Sequence, residues 1–371
     1  MTADAVAADY DVAIVGARVA GSITASLLGD AGLRVLLVDA ARFPSDTIST
    51  HFFRGAGLVR ALQQLGLLDE VLATGAPRLV REYNYASGSA HADVGPPQDP
   101  GDIGYGLSVR RVTLDRLLVE RARRTPGVEL LEGTPVRELL RDRDGRVNGL
   151  VMQREGGPVP VAARLVVGAD GRGSFVARSV GAAVERVEPA SRAMYFRYLR
   201  GFAGPAGAPD GPEFSLAGDE LAYAFPNDDG VTCLAISISL AEFDRFRADP
   251  EARFAERIQA HPAFADRFAA AQPASRILGS GPKDAVIRMP VGPGWALVGD
   301  ACLHQDPWTG LGMDNAAKEA SLLAQAVIDW RSGGAGEAAA FATYRARRDE
   351  EITPGFDFTA SAGRDFVAAF G

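Results

Sequence analysis

Apolar and polar positions follow two periods along the chain, and the switches between them mark its elements. A short apolar run at 11–15 (DVAIV) leads through GARVAG into a helical stretch ending near Asp30, and RVLLVD at 34–39 reads as a second buried strand. Together they make a βαβ unit of about 30 residues. Helical spacing recurs at 57–65 and 111–124, the latter with Arg111 or Thr113 near its start. Strands are predicted at 128–131, 134–140, 146–152 and 159–167, with Asp144-Gly145 as a hairpin turn. From 186 to 280 Tyr and Phe alternate with other residues (MYFRYL at 194–199, LAYAF at 221–225, VTCLAISI at 231–238), which predicts antiparallel sheet with one face toward a pocket. Gly/Pro-rich segments at 201–212, 279–284 and 290–294 punctuate it, and helices return at 313–330 and 335–350. No internal repeat is evident.

Composition narrows the class. The 371 residues suggest two domains, and 47% hydrophobic with 23% charged residues is a globular balance. A net charge of −8 disfavours a nucleic-acid or anionic-membrane surface. Cys233 and Cys302 cannot form a disulfide framework and lack metal or redox spacing, so no metal site is expected and a reducing cytoplasm fits. The N-terminus carries acidic residues where a signal peptide needs basic ones, and no apolar run spans a bilayer; no transmembrane segment is expected. Lys283 and Lys318 are the only lysines, which restricts any mechanism that needs one.

Three segments carry chemistry. Gly16-Ala17-Arg18-Val19-Ala20-Gly21 follows a strand and opens a helix, where free N–H groups face a pyrophosphate; Asp39, at the end of the second strand, suits an adenosine ribose. A tight turn with no nucleotide is the competing reading of that motif alone. Gly168-Ala169-Asp170-Gly171-Arg172-Gly173-Ser174 is a second strand-to-helix turn, which good turn residues alone would explain. In the third, a strand at 295–298 delivers Gly299-Asp300, whose carboxylate can hold polyol hydroxyls. The glycines after Pro307 then let a ligand approach the next helix's N-terminus, favouring an anionic reduced flavin.

The order and separation of these motifs resemble the FAD-dependent aromatic hydroxylases, group A flavoprotein monooxygenases, with their geranylgeranyl-reductase-like and flavin-halogenase relatives. The resemblance covers nearly the whole chain. It implies an α/β fold: a three-layer, Rossmann-like FAD-binding domain (1–75, 103–185 and 280–330), interleaved with an antiparallel-sheet substrate domain (76–102 and 186–279) and followed by C-terminal helices (331–371). It places Gly16, Gly21 and Asp39 on the ADP half of FAD and Arg111, or Arg110 in its stead, near the pyrophosphate and ribitol, with Arg18, Ala40 and Arg42 as further candidate cofactor contacts. Asp170 matches a motif linked to both FAD and NAD(P)H, and Gly299 and Asp300 match the ribitol motif. Gly310, Leu311 and Gly312 match the segment beside the isoalloxazine, and Pro307 and Val136 are carried as further cofactor neighbours. Arg18 replaces the second glycine, Asp39 the commoner glutamate, and Leu303 a common histidine, with His304 one place later. The stretch Asp46-Thr47-Ile48-Ser49-Thr50-His51 resembles a subgroup in which this loop passes near the flavin, which brings Thr50 toward the cofactor.

His51 and His304 fall in flavin-facing segments and are candidate proton donors or substrate orienters, against the reading of each as a loop histidine bonding backbone. Tyr195, Arg197, Tyr223, Phe225 and Trp308 are candidate substrate contacts, against plain core packing. The resemblance implies an NAD(P)H-dependent monooxygenase that adds oxygen at flavin C4a and hydroxylates a small aromatic or polyketide-like molecule. Its partners are that substrate and dioxygen, and a separate flavin reductase is left open. A C=C reductase or dehydrogenase of the geranylgeranyl-reductase-like type competes, as does a flavin-binding protein without turnover. A tryptophan-halogenase-like activity fits poorly: it needs a lysine in the N-terminal part, none precedes Lys283, and the WxWxIP stretch is missing.

Overall fold

The structure, a computed structural model, describes residues 9–49, 51–85, 91–94, 103–205 and 210–370. Thr50 and parts of the 76–102 and 201–212 segments lie outside the described residues. Helix α1 (Val19–Asp30) connects β1 (Tyr10–Val15) to β2 (Val35–Val38), and α2 (Arg111–Arg124) leads into β3 (Val128–Leu131). A hairpin of Val136–Arg141 and Val147–Arg154 feeds the long β4 (Gly157–Gly168). Then come β5 (Arg192–Arg200), β6 (Glu220–Pro226), β7 (Val231–Ser239), the short β8 (Trp295–Leu297), and the helices α3 (Gly312–Arg331) and α4 (Glu337–Ala362).

β8, β4, β1, β2 and β3 lie side by side and parallel. Both faces are buried, which explains the near-continuous apolar runs in the sequence. Val12 and Ile14 face a core with Ile23, Leu118 and Leu323 from the helices, while Ala13 and Val15 face one with Leu36, Val166 and Trp295. Val15 pairs with both Val38 and Gly168, so these strands end along one edge, from which Gly16, Asp39, Ala169 and Gly299 emerge. Ligands of open α/β sheets bind outside that carboxyl edge.

The second sheet is centred on β5, β7 and β6, antiparallel to one another; Glu213–Ala217 follows, and Glu82–Tyr85 joins it in parallel. One face carries Met194, Phe196, Tyr223 and Phe225, the other Tyr195, Leu234 and Ile236. The expectation of sheet throughout 186–280 is corrected over 240–270. Three helices, Leu240–Ala248, Pro250–Gln259 and Pro262–Ala270, bury Phe246, Phe254 and Phe264 on the second face. An apolar sheet face requires a cover, and Pro250 and Pro262 each open a helix at its first turn. Helix α4 also outruns the predicted 335–350, through Pro354, because Ile352 and Phe356 continue its buried stripe against Ile287 and Leu303. Among the described residues no helix is long and apolar enough to cross a membrane.

Candidate functional site

The site grows from the carboxyl edge of the parallel sheet. Gly16 has φ +102°, and a Cβ there would meet the Ala169 carbonyl oxygen at 2.3 Å; one on Gly21 would meet the Gly16 oxygen at 1.8 Å. Only glycine lets the β1–α1 turn lie against both its own helix and the turn after β4. The Ala17 and Ala41 amides donate to the Asp39 carboxylate at 2.8 and 2.7 Å, fixing it at the tip of β2. No side chain caps α1, and Val19 and Ala20 face the opening, so its positive N-terminus is free for an anion. Arg18 does not fill that space. Its guanidinium reaches the buried Asp115 and the Ser45 carbonyl, and Arg111 grips the same carboxylate with two bonds of 3.0 Å. Asp115 thus gathers two arginines on one wall.

Two further turns complete the edge. Asp170 accepts from Ser174 Oγ, Phe175 N and Val176 N, so its carboxylate opens the helix Phe175–Val180; burial holds its pKa above the ordinary value despite those bonds. Gly299 has φ +61°, and its amide donates to the buried Glu319 on α3. That leaves Asp300 facing outward, with its Oδ2 3.2 Å from His304 Nδ1. Gly310 turns with φ +71°, and α3 begins at Gly312 with no side-chain cap, presenting a second open helix N-terminus.

A single cleft of about 750 Å³ runs along these turns. Gly16, Arg18, Asp39, Ala40, Arg111, Val136 and Asp170 line one part; Gly299, Asp300, His304, Pro307, Gly310 and Gly312 line the other. Gly21 and Leu311 do not line it. Leu311 turns to Gly355, Arg42 lies beside Gly133 at the surface, and Arg110 is taken by Asp228 at 2.8–3.1 Å. His51 is fully buried off the cleft wall, bonded to the Tyr198 hydroxyl. Burial, reinforced by the positive Arg111 and Arg110, lowers its pKa to about 3, so it stays neutral.

The strand period sorts the substrate candidates. On β5, Met194 and Phe196 face the cleft, whereas Tyr195 stacks on Phe246 and Arg197 pairs with Glu251 on the opposite side. Tyr223, Phe225 and Trp308 pack in the aromatic cluster behind the cleft, with Trp308 Nε1 donating to the Thr359 carbonyl. Residues that sequence reasoning did not select complete this inner end: Arg192, Lys283, Gln305 and Asp306. Alternation within MYFRYL signals a two-faced strand without saying which face is which, and an Asp-Pro pair reads simply as a turn.

Open helix N-termini, backbone approach at glycines, and carboxylates at both ends suit an extended nucleotide cofactor in an α/β dinucleotide-binding protein. The family model described as FAD binding domain matches residues 9–201, and the chain belongs to that family. A 3-(3-hydroxy-phenyl)propionate/3-hydroxycinnamic acid hydroxylase of Mycolicibacterium smegmatis is 26% identical over 95% of this chain and 61% of its own length. The chain therefore spans about three fifths of the hydroxylases it matches. A digeranylgeranylglycerophospholipid reductase of Methanothrix thermoacetophila is 27% identical over 92% of this chain and 83% of its own. The crystal structure of PqsL, a probable FAD-dependent monooxygenase from Pseudomonas aeruginosa, superposes with a TM-score of 0.80 at 26% identity, covering 96% of this chain and 97% of that one.

Proposed function

We propose that this protein is an FAD-dependent, NAD(P)H-driven monooxygenase that hydroxylates a small aromatic or polyketide-like molecule. The observation that carries the reading is the continuity of the cleft, from the β1–α1 turn to a pocket walled by Met194 and Phe196 and edged by Asp300, His304 and Asp306. In this reading, the N-terminus of α1 and the Arg18–Asp115–Arg111 cluster receive the pyrophosphate, Asp39 the ribose, Asp300 the ribitol, and the N-terminus of α3 the ring. FAD bound there would supply the electrons that activate dioxygen. The chain's part is to bind and orient, to exclude water with the second sheet, and to hold protons at the inner end. The hydroxylase relatives and PqsL support the reading.

The digeranylgeranylglycerophospholipid reductases, matched over a larger share of their own length, favour C=C reduction as the second reading. Denatured protein should release one FAD per chain. Substrate should accelerate NAD(P)H consumption, and labelled dioxygen should leave one atom in the product. Conversion under anaerobic conditions with no oxygen incorporated refutes the monooxygenase and favours the reductase.

A further inference from the structure

Asp306 lies between the short strand Leu303–His304 and the turn Pro307–Thr309; it is buried, yet lines the inner end of the cleft. Its Oδ1 accepts from Trp308 N at 3.1 Å, which fixes the carboxylate. No hydrogen bond among the described residues engages Oδ2. Three groups from the surrounding elements face Asp306: Arg192 on β5, Tyr223 on β6 and His304. Arg192 is a fixed charge rather than a mobile partner, since Asp219, Ser237 and the Gly363 carbonyl hold its guanidinium and the Phe366 ring lies 3.8 Å away. His304 gives Nδ1 to Asp300 and keeps Nε2 buried and without a hydrogen bond among the described residues.

We propose that Asp306 is the catalytic base of this site, taking the proton of a phenolic hydroxyl on an aromatic substrate that enters between Met194, Phe196 and the Asp306–Pro307 turn. The assignment rests on the hydroxylase reading. Burial raises the Asp306 carboxyl from 3.8 to about 6, against the lowering effects of the Trp308 amide, Arg192 and His304. It is therefore ionised at neutral pH and matched to its task. In the step, the substrate O–H bond breaks, its proton passes to Oδ2, and the bonding pair stays on the substrate. That enriches the ring carbon that receives one atom of dioxygen. FAD, when bound, would pass on from NAD(P)H the two electrons with which the second oxygen atom leaves as water. The ring proton displaced by oxygen leaves to solvent, and Asp306 returns its own proton through the cleft.

The test titrates the visible absorbance of the FAD-loaded protein between about pH 4 and 8. Wild type should show an inflection near pH 6 that Asp306→Asn lacks. His304→Gln should keep it, and Asp306→Glu, which preserves a carboxylate if the amide variant misfolds, should keep it at an altered position. FAD affinity of Asp306→Asn should stay within about twofold of wild type. With 4-nitrophenol as probe, the bound phenolate band should grow in at a higher pH in wild type than in Asp306→Asn, because the ionised carboxylate shares the phenol proton. An inflection that survives in Asp306→Asn, vanishes in His304→Gln, or is missing from wild type overturns the proposal, as does a nitrophenolate titration that Asp306→Asn leaves unmoved. Failure of the oxygen-labelling test alone removes the hydroxylase reading and leaves Asp306 the acid–base group of the site.

Discussion

Glu319 offers the sharpest check on how the cofactor edge is held. It is fully buried on α3, and one carboxylate oxygen accepts the Gly299 amide while the other has no hydrogen bond among the described residues. On α4, the Tyr344 hydroxyl donates to the Leu297 carbonyl at 2.8 Å, and the buried Arg348 reaches Cys302 Sγ and the Arg288 carbonyl, each at 3.2 Å. Three side chains thus brace the segment 297–302 from behind while Asp300 faces the cleft in front. Burial raises the Glu319 carboxyl from 4.5 to about 8. Because the folded pKa is the higher one, the unfolded chain releases this proton first. Stability contributed by Glu319 is complete below the unfolded value of 4.5, falls by about 1.4 kcal/mol per pH unit, and levels off above about 8. Glu319→Gln keeps an acceptor for the Gly299 amide and removes that slope, so the variant should gain on wild type by up to about 5 kcal/mol across the window. Glu319→Leu orphans a buried amide, costing about 1–3 kcal/mol at any pH, and should loosen FAD through the misplaced Asp300. Urea melts of both variants at several pH values between about 5 and 9 provide the assay. Parallel curves for wild type and Glu319→Gln, or equal stability of the Leu and Gln variants, refute the reasoning.

Other substitutions separate cofactor contacts from scaffold. Asp300→Ala should weaken FAD about tenfold or more, by fluorescence titration of the apoprotein, with little change in melting temperature. Asp170→Ala removes three acceptor bonds at the start of a helix, so it should lower stability by about 1–3 kcal/mol and FAD affinity by less than Asp300→Ala does. Gly16→Ala places a methyl group 2.3 Å from a backbone oxygen at positive φ, and the soluble protein should fail to take up FAD.

The cofactor edge was legible because backbone geometry dictates its residue types. A turn at positive φ between a strand and a helix demands glycine at 16, and an acidic residue at the tip of β2 has amides waiting for it. The inner end was not, because side-chain direction decides it. Tyr195 is the more conspicuous residue of β5, yet Met194 and Phe196 face the cleft, since the opposite face is claimed by the helices of 240–270. His51 sits in a stretch suited to the flavin, but folding buries it against Tyr198 and Phe196. Asp115 and Glu319 gave no signal, because a charged residue on an amphipathic helix reads as a solvated face until its partners are known.

The two ends of the cleft therefore differ in how they can change. At the cofactor end, a substitution must satisfy strand, turn and helix at once. At the inner end, Met194 and Phe196 on β5, Lys283 before Ala285–Arg288, and Gln305 and Asp306 after Leu303–His304 come from separate stretches, so each can vary while the dinucleotide edge stays intact. Lys283 shows the consequence. It follows the antiparallel sheet in the sequence, far from the N-terminal position a halogenase lysine would occupy, yet folding brings it, exposed, to the cleft wall. Distance along the chain thus says nothing about its reach into the cleft, and what stands against halogenation in the sequence is the missing WxWxIP stretch. Chemistry on this scaffold is set by which side chains those separate segments send inward, with α4 bracing them from behind through Thr359 and Phe356.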